Sequence, residues 1–125
     1  MSGKTANGKS LGEVEKLTGI PKLKLKYFIE QSLVQPSQKS ESGYWLYSEE
    51  DIKKVQLVSL CQDLDFPVRI IRTILADPSQ CWQKELEWQI VRLKGQKART
   101  ETQLARADSL RLNWKTEKWA SLIGE

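Results

Sequence analysis

The stretch Glu41-Ser42-Gly43-Tyr44-Trp45-Leu46-Tyr47-Ser48-Glu49-Glu50-Asp51-Ile52 decides the fold. Ser42-Gly43 is turn chemistry, and residues 44–47 are a run of strand formers. Ser48 followed by three acids reads as a helix N-cap, with carboxylates where the helix dipole favours them. A strand therefore passes directly into a helix. Its partner is expected in residues 34–38, where Pro36 pushes the residue before it out of the α region. A two-stranded ribbon is marginal alone. This hairpin, about residues 34–47, must lean on helices, and its tip, carrying Lys39, projects as a wing.

Upstream, Ser10-Leu11-Gly12-Glu13 matches the S-x-x-E capping box, which starts a helix at Leu11. Val14 and Leu17 give it an apolar stripe, and Thr18-Gly19 ends it, since glycine accepts the left-handed backbone of a helix C-terminus. Pro21 suits the start of a second helix, about residues 21–31. Leu25, Phe28 and Ile29 have the spacing of one buried face. Lys22 and Lys26 share another, flanked by Lys24 and Tyr27. Two short helices joined by a glycine-containing turn, residues 12–31, are the helix-turn-helix pattern, whose second helix enters the major groove of DNA. A plain helical hairpin with solvated lysines has the same spacing.

Downstream, Ile52, Val55, Val58 and Cys61 step every three residues, with Leu57 and Leu64 widening the stripe of a core-facing helix. Asp65-Phe66-Pro67 opens a further short helix bearing Ile70, Ile71, Ile74 and Leu75, and Asp77-Pro78 closes it. Residues 79–112 then contain no breaker except Gly95. Leu86, Ile90, Leu93, Lys97, Thr100, Leu104, Ala107 and Arg111 alternate steps of four and three. That is a heptad seam with polar residues midway, which weaken a coiled coil but fix its register. A dimerisation helix is expected, with Leu86, Ile90, Leu93 and Leu104 as its apolar contacts and residues 113–125 as a short tail.

The composition narrows the function. The chain has 125 residues, a net charge of +4 and no histidine. Without histidine, a Gly-rich phosphate loop or a Ser- or Cys-centred triad, an enzyme is not expected, nor is a cofactor. No apolar run approaches the roughly 18 residues that span a bilayer. Residues 1–9 lack an apolar core of the signal-peptide kind and read as a flexible arm, so a cytoplasmic setting is expected. Cys61 steps with an apolar face and reads as a small core residue. Cys81 has no histidine or cysteine pair to complete a metal site, so no metal is expected. The densest basic cluster, Lys22, Lys24 and Lys26, suggests a polyanionic partner.

The runs Leu-Gly-Glu-Val-x-Lys-Leu-Thr-Gly-Ile (11–20), Leu-Lys-Tyr-Phe (25–28), Leu-Val-x-Pro (33–36), Glu-Ser-Gly-Tyr-x-Leu-Tyr-Ser-Glu-Glu-Asp-Ile (41–52) and Leu-x-Phe-Pro-x-x-x-Ile (64–71) resemble the MerR-type winged helix-turn-helix domain. The likeness covers about residues 10–78. It implies a mostly α fold: four short helices plus a small β-hairpin wing, then a long C-terminal helix, residues 79–112, pairing as an antiparallel coiled coil. It also implies a homodimer that binds double-stranded promoter DNA and bends and untwists it, acting on RNA polymerase indirectly. Carried over by position, Lys22, Lys24, Lys26 and Tyr27 fall on the recognition helix, Lys39, Tyr44 and Trp45 on the wing, and Arg69 and Arg72 beside the flanking backbone.

The sequence departs from that pattern at several positions. Leu23 and Ile29 are apolar where such domains are usually polar, and Ser32 and Asp65 stand in place of glycine. Trp45 replaces an arginine that commonly contacts phosphate, with Lys4 and Lys9 as possible substitutes for its charge. Two other readings follow: an architectural, excisionase-like DNA-bending protein, and a protein-interaction module in which Leu23, Ile29 and Trp45 have become a partner surface. Trp82, Trp88, Trp114 and Trp119 either line a pocket where the tail folds on the coiled coil or simply pack the dimer interface and the tail. The tail is too short for a separate effector domain.

Overall fold

The computed structural model describes residues 8–123. The order is α1 (Leu11–Thr18), α2 (Lys22–Glu30), β1 (Gln38–Lys39), β2 (Trp45–Leu46), α3 (Glu49–Asp63), α4 (Val68–Ala76), α5 (Pro78–Leu112), a 3-10 turn (Trp114–Thr116) and α6 (Ala120–Ile123). The chain divides into two compact units, one ending at Glu85 and one beginning at Leu86. Residues 1–7 of the expected arm, Lys4 among them, lie outside the described residues.

Local chemistry accounts for the element boundaries. Ser10 and Glu13 form the reciprocal capping box, the Glu13 carboxylate accepting from Ser10 N–H at 2.8 Å and the Ser10 hydroxyl from Glu13 N–H at 3.2 Å. Ser48 and Asp51 repeat it at the start of α3. Helices α2 and α3 end alike. In each, the residue after the C-cap, Ser32 or Asp65, takes a left-handed backbone (φ 57° and 63°). The next N–H reaches back five residues, Leu33 to Phe28 O at 2.8 Å and Phe66 to Cys61 O at 3.0 Å. These are Schellman motifs, and the left-handed position in each is where glycine is ordinarily found.

The core of the first unit joins Val14 of α1, Leu25 and Phe28 of α2, Val55, Val58 and Cys61 of α3, and Ile71 and Ile74 of α4, with Leu33, Val34 and Tyr47 from the connections. Burying a Val, Leu, Ile or Phe side chain of this set contributes roughly 1.5–3 kcal/mol. Leu17, expected on the stripe of α1, is exposed instead: the helix is only eight residues long and Val14 alone reaches the core.

The wing is shorter than expected. Pairing is confined to Gln38 with Leu46 and Lys39 with Trp45, rather than beginning at residue 34. Val34 is buried in the core, Pro36 has no N–H to offer, and Ser37 N–H bonds the Asp51 carboxylate at 2.9 Å instead of a strand. The ribbon gains a partner that the sequence did not announce. Lys9, expected in the arm, exchanges two backbone bonds with Tyr47, at 2.9 and 2.7 Å. Gly8 permits this approach, because a Cβ there would stand 2.8 Å from Leu46 Cβ and from Gln38 Oε1. Among the described residues no helix is long and apolar enough to cross a membrane.

Candidate nucleic-acid interface

Helices α1 and α2 are held at a fixed turn by short polar contacts. Thr18 donates its hydroxyl to Val14 O at 2.7 Å and accepts from Ile20 N–H at 3.1 Å, while Glu15 accepts from Lys22 N–H at 3.2 Å at the start of α2. Leu25 and Phe28 bury one face of α2, which turns Lys22, Leu23, Lys24, Lys26 and Tyr27 to solvent. The Tyr27 ring packs edge-on against Phe28, with centroids 6.5 Å apart. Three lysines, one leucine, one tyrosine and, at the C-terminal end, Glu30 thus form the exposed face of the second helix.

On the wing, Trp45 and Tyr47 are resolved differently although they alternate on one strand face. Tyr47 is 1% exposed and Trp45 is 57% exposed. The two still line one cleft of about 430 Å³ with Leu11, Ile29, Gln35 and Pro36, so the wing lies beside the C-terminal part of α2. The Lys39 ammonium, directly across the ribbon from Trp45, lies 5.0 Å from the centroid of the Trp45 ring. Tyr44 is exposed at the turn, its N–H bonded to the Ser40 hydroxyl at 3.0 Å.

Asp51 ties the base of the wing to α3. Its Oδ2 accepts from Ser37 N–H at 2.9 Å, Ser37 hydroxyl at 2.5 Å and Ser48 N–H at 2.9 Å. Burial by itself raises this carboxyl, but the hydrogen bonds from Ser37 and Ser48 outweigh it and hold the group below its ordinary value. Burial beside this carboxylate pushes the Tyr47 phenol up. The place of Asp51 in the first turn after the Ser48 cap was legible, whereas its bonds back to Ser48 N–H and to Ser37, fourteen residues away, were not read from the sequence.

The two arginines expected beside DNA differ. Arg72 donates to Gln31 O at 2.7 Å and so clamps the C-terminus of α2 to α4, while Arg69 is exposed on the same helix. Cys61 is buried, and burial raises its thiol to about 11; Cys81 is half-buried. Among the described residues no group of three or more metal-ligating side chains comes together.

In the long helix, Leu86 is half-buried, and Ile90, Leu93 and Leu104 lie exposed along the seam. Trp82 packs on Phe66, with ring centroids 6.3 Å apart. Trp88 is exposed, Trp114 is half-buried, and the Lys118 ammonium stands 4.9 Å from the Trp119 ring. Within the second unit, among the described residues, no ring contact joins Trp88, Trp114 and Trp119.

Residues 9–77 match the family described as MerR HTH family regulatory protein. The chain is 30% identical over 67 residues to heavy metal-dependent transcription regulator 2 of Rhizobium meliloti (strain 1021), a match covering 54% of this chain and 46% of that protein. The matched segment thus spans about half the length of that relative. Among solved structures, the N-terminal part of MtaN, the Bacillus subtilis multidrug transporter activator, superposes with a TM-score of 0.74 at 24% identity, over 82% of this chain and 96% of that one. HiNmlR, a regulator lacking the sensor domain and solved bound to promoter DNA, superposes with a TM-score of 0.57 at 16% identity, over 94% and 96%. These likenesses establish the winged helix-turn-helix fold.

Proposed function

The chain belongs to the MerR HTH family, and from that membership we propose that it is a DNA-binding transcription regulator. It works in the cytoplasm as a homodimer, through a long helix whose apolar seam residues Ile90, Leu93 and Leu104 are uncovered in the single chain. The observation that carries the DNA reading is the outer face of α2, with Lys22, Lys24, Lys26 and Tyr27 turned to solvent and backed by Leu25 and Phe28 in the core. Lysines on such a face supply phosphate contacts, which position a protein on the duplex. Lys39, held beside the Trp45 ring, and Tyr44 extend the contact through the wing, and Arg69 serves the flanking backbone. Arg72 holds α2 in place and touches DNA only with the N–H groups left free by Gln31.

Two copies joined by the long helix would present two α2 helices to a two-fold site. Bending and untwisting that site cost deformation energy, which the additional backbone contacts offset. RNA polymerase is then affected through the DNA shape. The test is a permuted-fragment mobility assay with the upstream DNA, read beside sedimentation of the protein alone. A chain sedimenting at twice its mass and a position-dependent mobility support the reading. A monomer that binds without bending contradicts it, and Leu93→Pro is expected to abolish dimer and binding together.

One observation favours a second reading. Leu23, Tyr44 and Trp45 are all large, apolar and exposed, as a protein-binding face would be. Such a module would bind a partner with little dependence on salt and would leave DNA unbound at low ionic strength. An architectural DNA-bending role would give the same bend with no change in transcription in vitro.

A further inference from the structure

Helix α2 offers DNA an unusual choice of side chains. Its sequence, Lys22-Leu23-Lys24-Leu25-Lys26-Tyr27-Phe28-Ile29-Glu30, contains no Arg, Asn or Gln. Arginine or lysine reads guanine edges and asparagine or glutamine reads adenine edges, so of these readers the helix carries lysine alone. Lysine is a compact, mobile charge that suits phosphate better than a particular base. With no guanidinium or amide fork on the helix, an apolar contact to a base is the natural complement to these mobile charges.

Leu23 is the side chain placed to supply it. It is the second residue of α2 and 81% exposed, in a helix whose roll is set by buried Leu25 and Phe28. At 100° per residue it points away from both anchors. Tyr27, one turn further along the same face, is 37% exposed and braced against Phe28. Leu23 thus has no packing role within the first unit, and the exposed Lys22, Lys24 and Lys26 beside it match the charge of a polyanion. In a helix-turn-helix the N-terminal residues of the second helix are the ones that reach base edges. The one apolar group on the major-groove floor is the 5-methyl of thymine.

We infer that Leu23, with Tyr27 behind it, reads thymine 5-methyl groups, so that each half-site carries thymine under the first turn of α2. This rests on the DNA-binding function proposed above and assigns the sequence selectivity within it. It makes Leu23 a specificity-determining residue and the three lysines its sequence-neutral anchors.

The test is operator selection from a random-sequence duplex pool with the full chain, followed by replacement of single thymines in the selected site with deoxyuridine, which lacks only the methyl. The wild-type chain is expected to lose about fourfold in affinity at symmetry-related thymines, the worth of one methyl group withdrawn from water. Leu23→Ala should bind more weakly to the thymine site and no longer distinguish it from the deoxyuridine site, while Leu23→Met should still distinguish them. Circular dichroism and the melting temperature of both variants should match the parent, because the side chain is exposed. A wild-type chain indifferent to every deoxyuridine, an Ala variant that keeps the discrimination, or a pool that yields no consensus overturns the inference and leaves DNA binding standing. A chain that retains no DNA from the pool at low salt overturns both.

Discussion

The ammonium of Lys39 and the indole of Trp45 are directly opposed across the two-stranded wing, with 5.0 Å between the nitrogen and the ring centroid. Lys39 is the only cation in residues 34–47, and among the described residues no carboxylate pairs with it. A lysine side chain is mobile, and an aromatic face that attracts its charge reduces the freedom it must lose on meeting a phosphate. The position at which the resemblance led one to expect an arginine thus holds a platform for a cation on the neighbouring strand. The expected outcome is coupling. Trp45→Leu should weaken DNA binding about two- to fivefold when Lys39 is present. In a Lys39→Gln background it should do little, and Trp45→Phe should retain most of the affinity. Lys39→Gln itself should lower the salt slope of binding by on the order of one. Equal losses from Trp45→Leu in both backgrounds would mean that the indole acts on its own.

Ser32 and Asp65 occupy left-handed positions at the ends of α2 and α3. A Cβ in that conformation costs roughly 1–2 kcal/mol, partly offset by the greater unfolded-state freedom of glycine. Ser32→Gly is therefore expected to stabilise the protein by about 0.5–1 kcal/mol, read as a higher denaturant midpoint at unchanged m-value. Asp65→Gly should gain less, because aspartate tolerates this backbone better than serine. A loss of stability in Ser32→Gly would contradict the strain.

Asp51 links the start of α3 to the foot of the wing through Ser37 and Ser48. Its carboxyl is lowered in the fold, so its contribution is fully present above the unfolded value of about 3.9 and is lost as pH falls through the folded value. Asp51→Ala should cost about 1.5–3 kcal/mol at neutral pH, the usual worth of hydrogen bonds to a charged group. Urea midpoints measured from pH 6 down to pH 2 should fall for the parent and show a shallower decline in the variant. Parallel curves would rule out a lowered Asp51.

Cys61 is buried in the core of the first unit, and burial raises its thiol to about 11. The thiolate is the reactive form. A thiol-specific chromogenic reagent at pH 8 should leave Cys61 unmodified in the native protein and reach it after denaturation. Rapid native modification of Cys61, located by peptide mapping, would show that the helix opens.

Much of the first unit was legible before any coordinates. The capping box at Ser10, the N-cap at Ser48 and the three-residue steps of Val55, Val58 and Cys61 are local signals and each is expressed where it stands, while Pro21 marks the start of α2 as its N-cap rather than within its first turn. What the sequence hid were contacts between distant residues: Ser37 with Asp51, Arg72 with Gln31, and Lys9 with Tyr47. None has a periodicity to announce it. Strand alternation also failed at Trp45 and Tyr47, since both lie on one face and only their position relative to α2 makes one exposed and the other buried. Candidate DNA contacts on α2 were readable from charge, but Arg72 was not separable from Arg69 until its carbonyl partner was located.

The most direct measurement is the affinity of the chain for the DNA upstream of its own gene, followed by fluorescence anisotropy across a salt series. Binding at low salt, with the logarithm of affinity falling linearly as the logarithm of salt rises, is the expected result, since cations such as Lys22, Lys24, Lys26 and Lys39 would displace counterions from phosphate. Charge-removing changes at these four lysines should flatten the line. No binding at low salt, or binding indifferent to salt and to those lysines, would contradict a DNA-binding regulator.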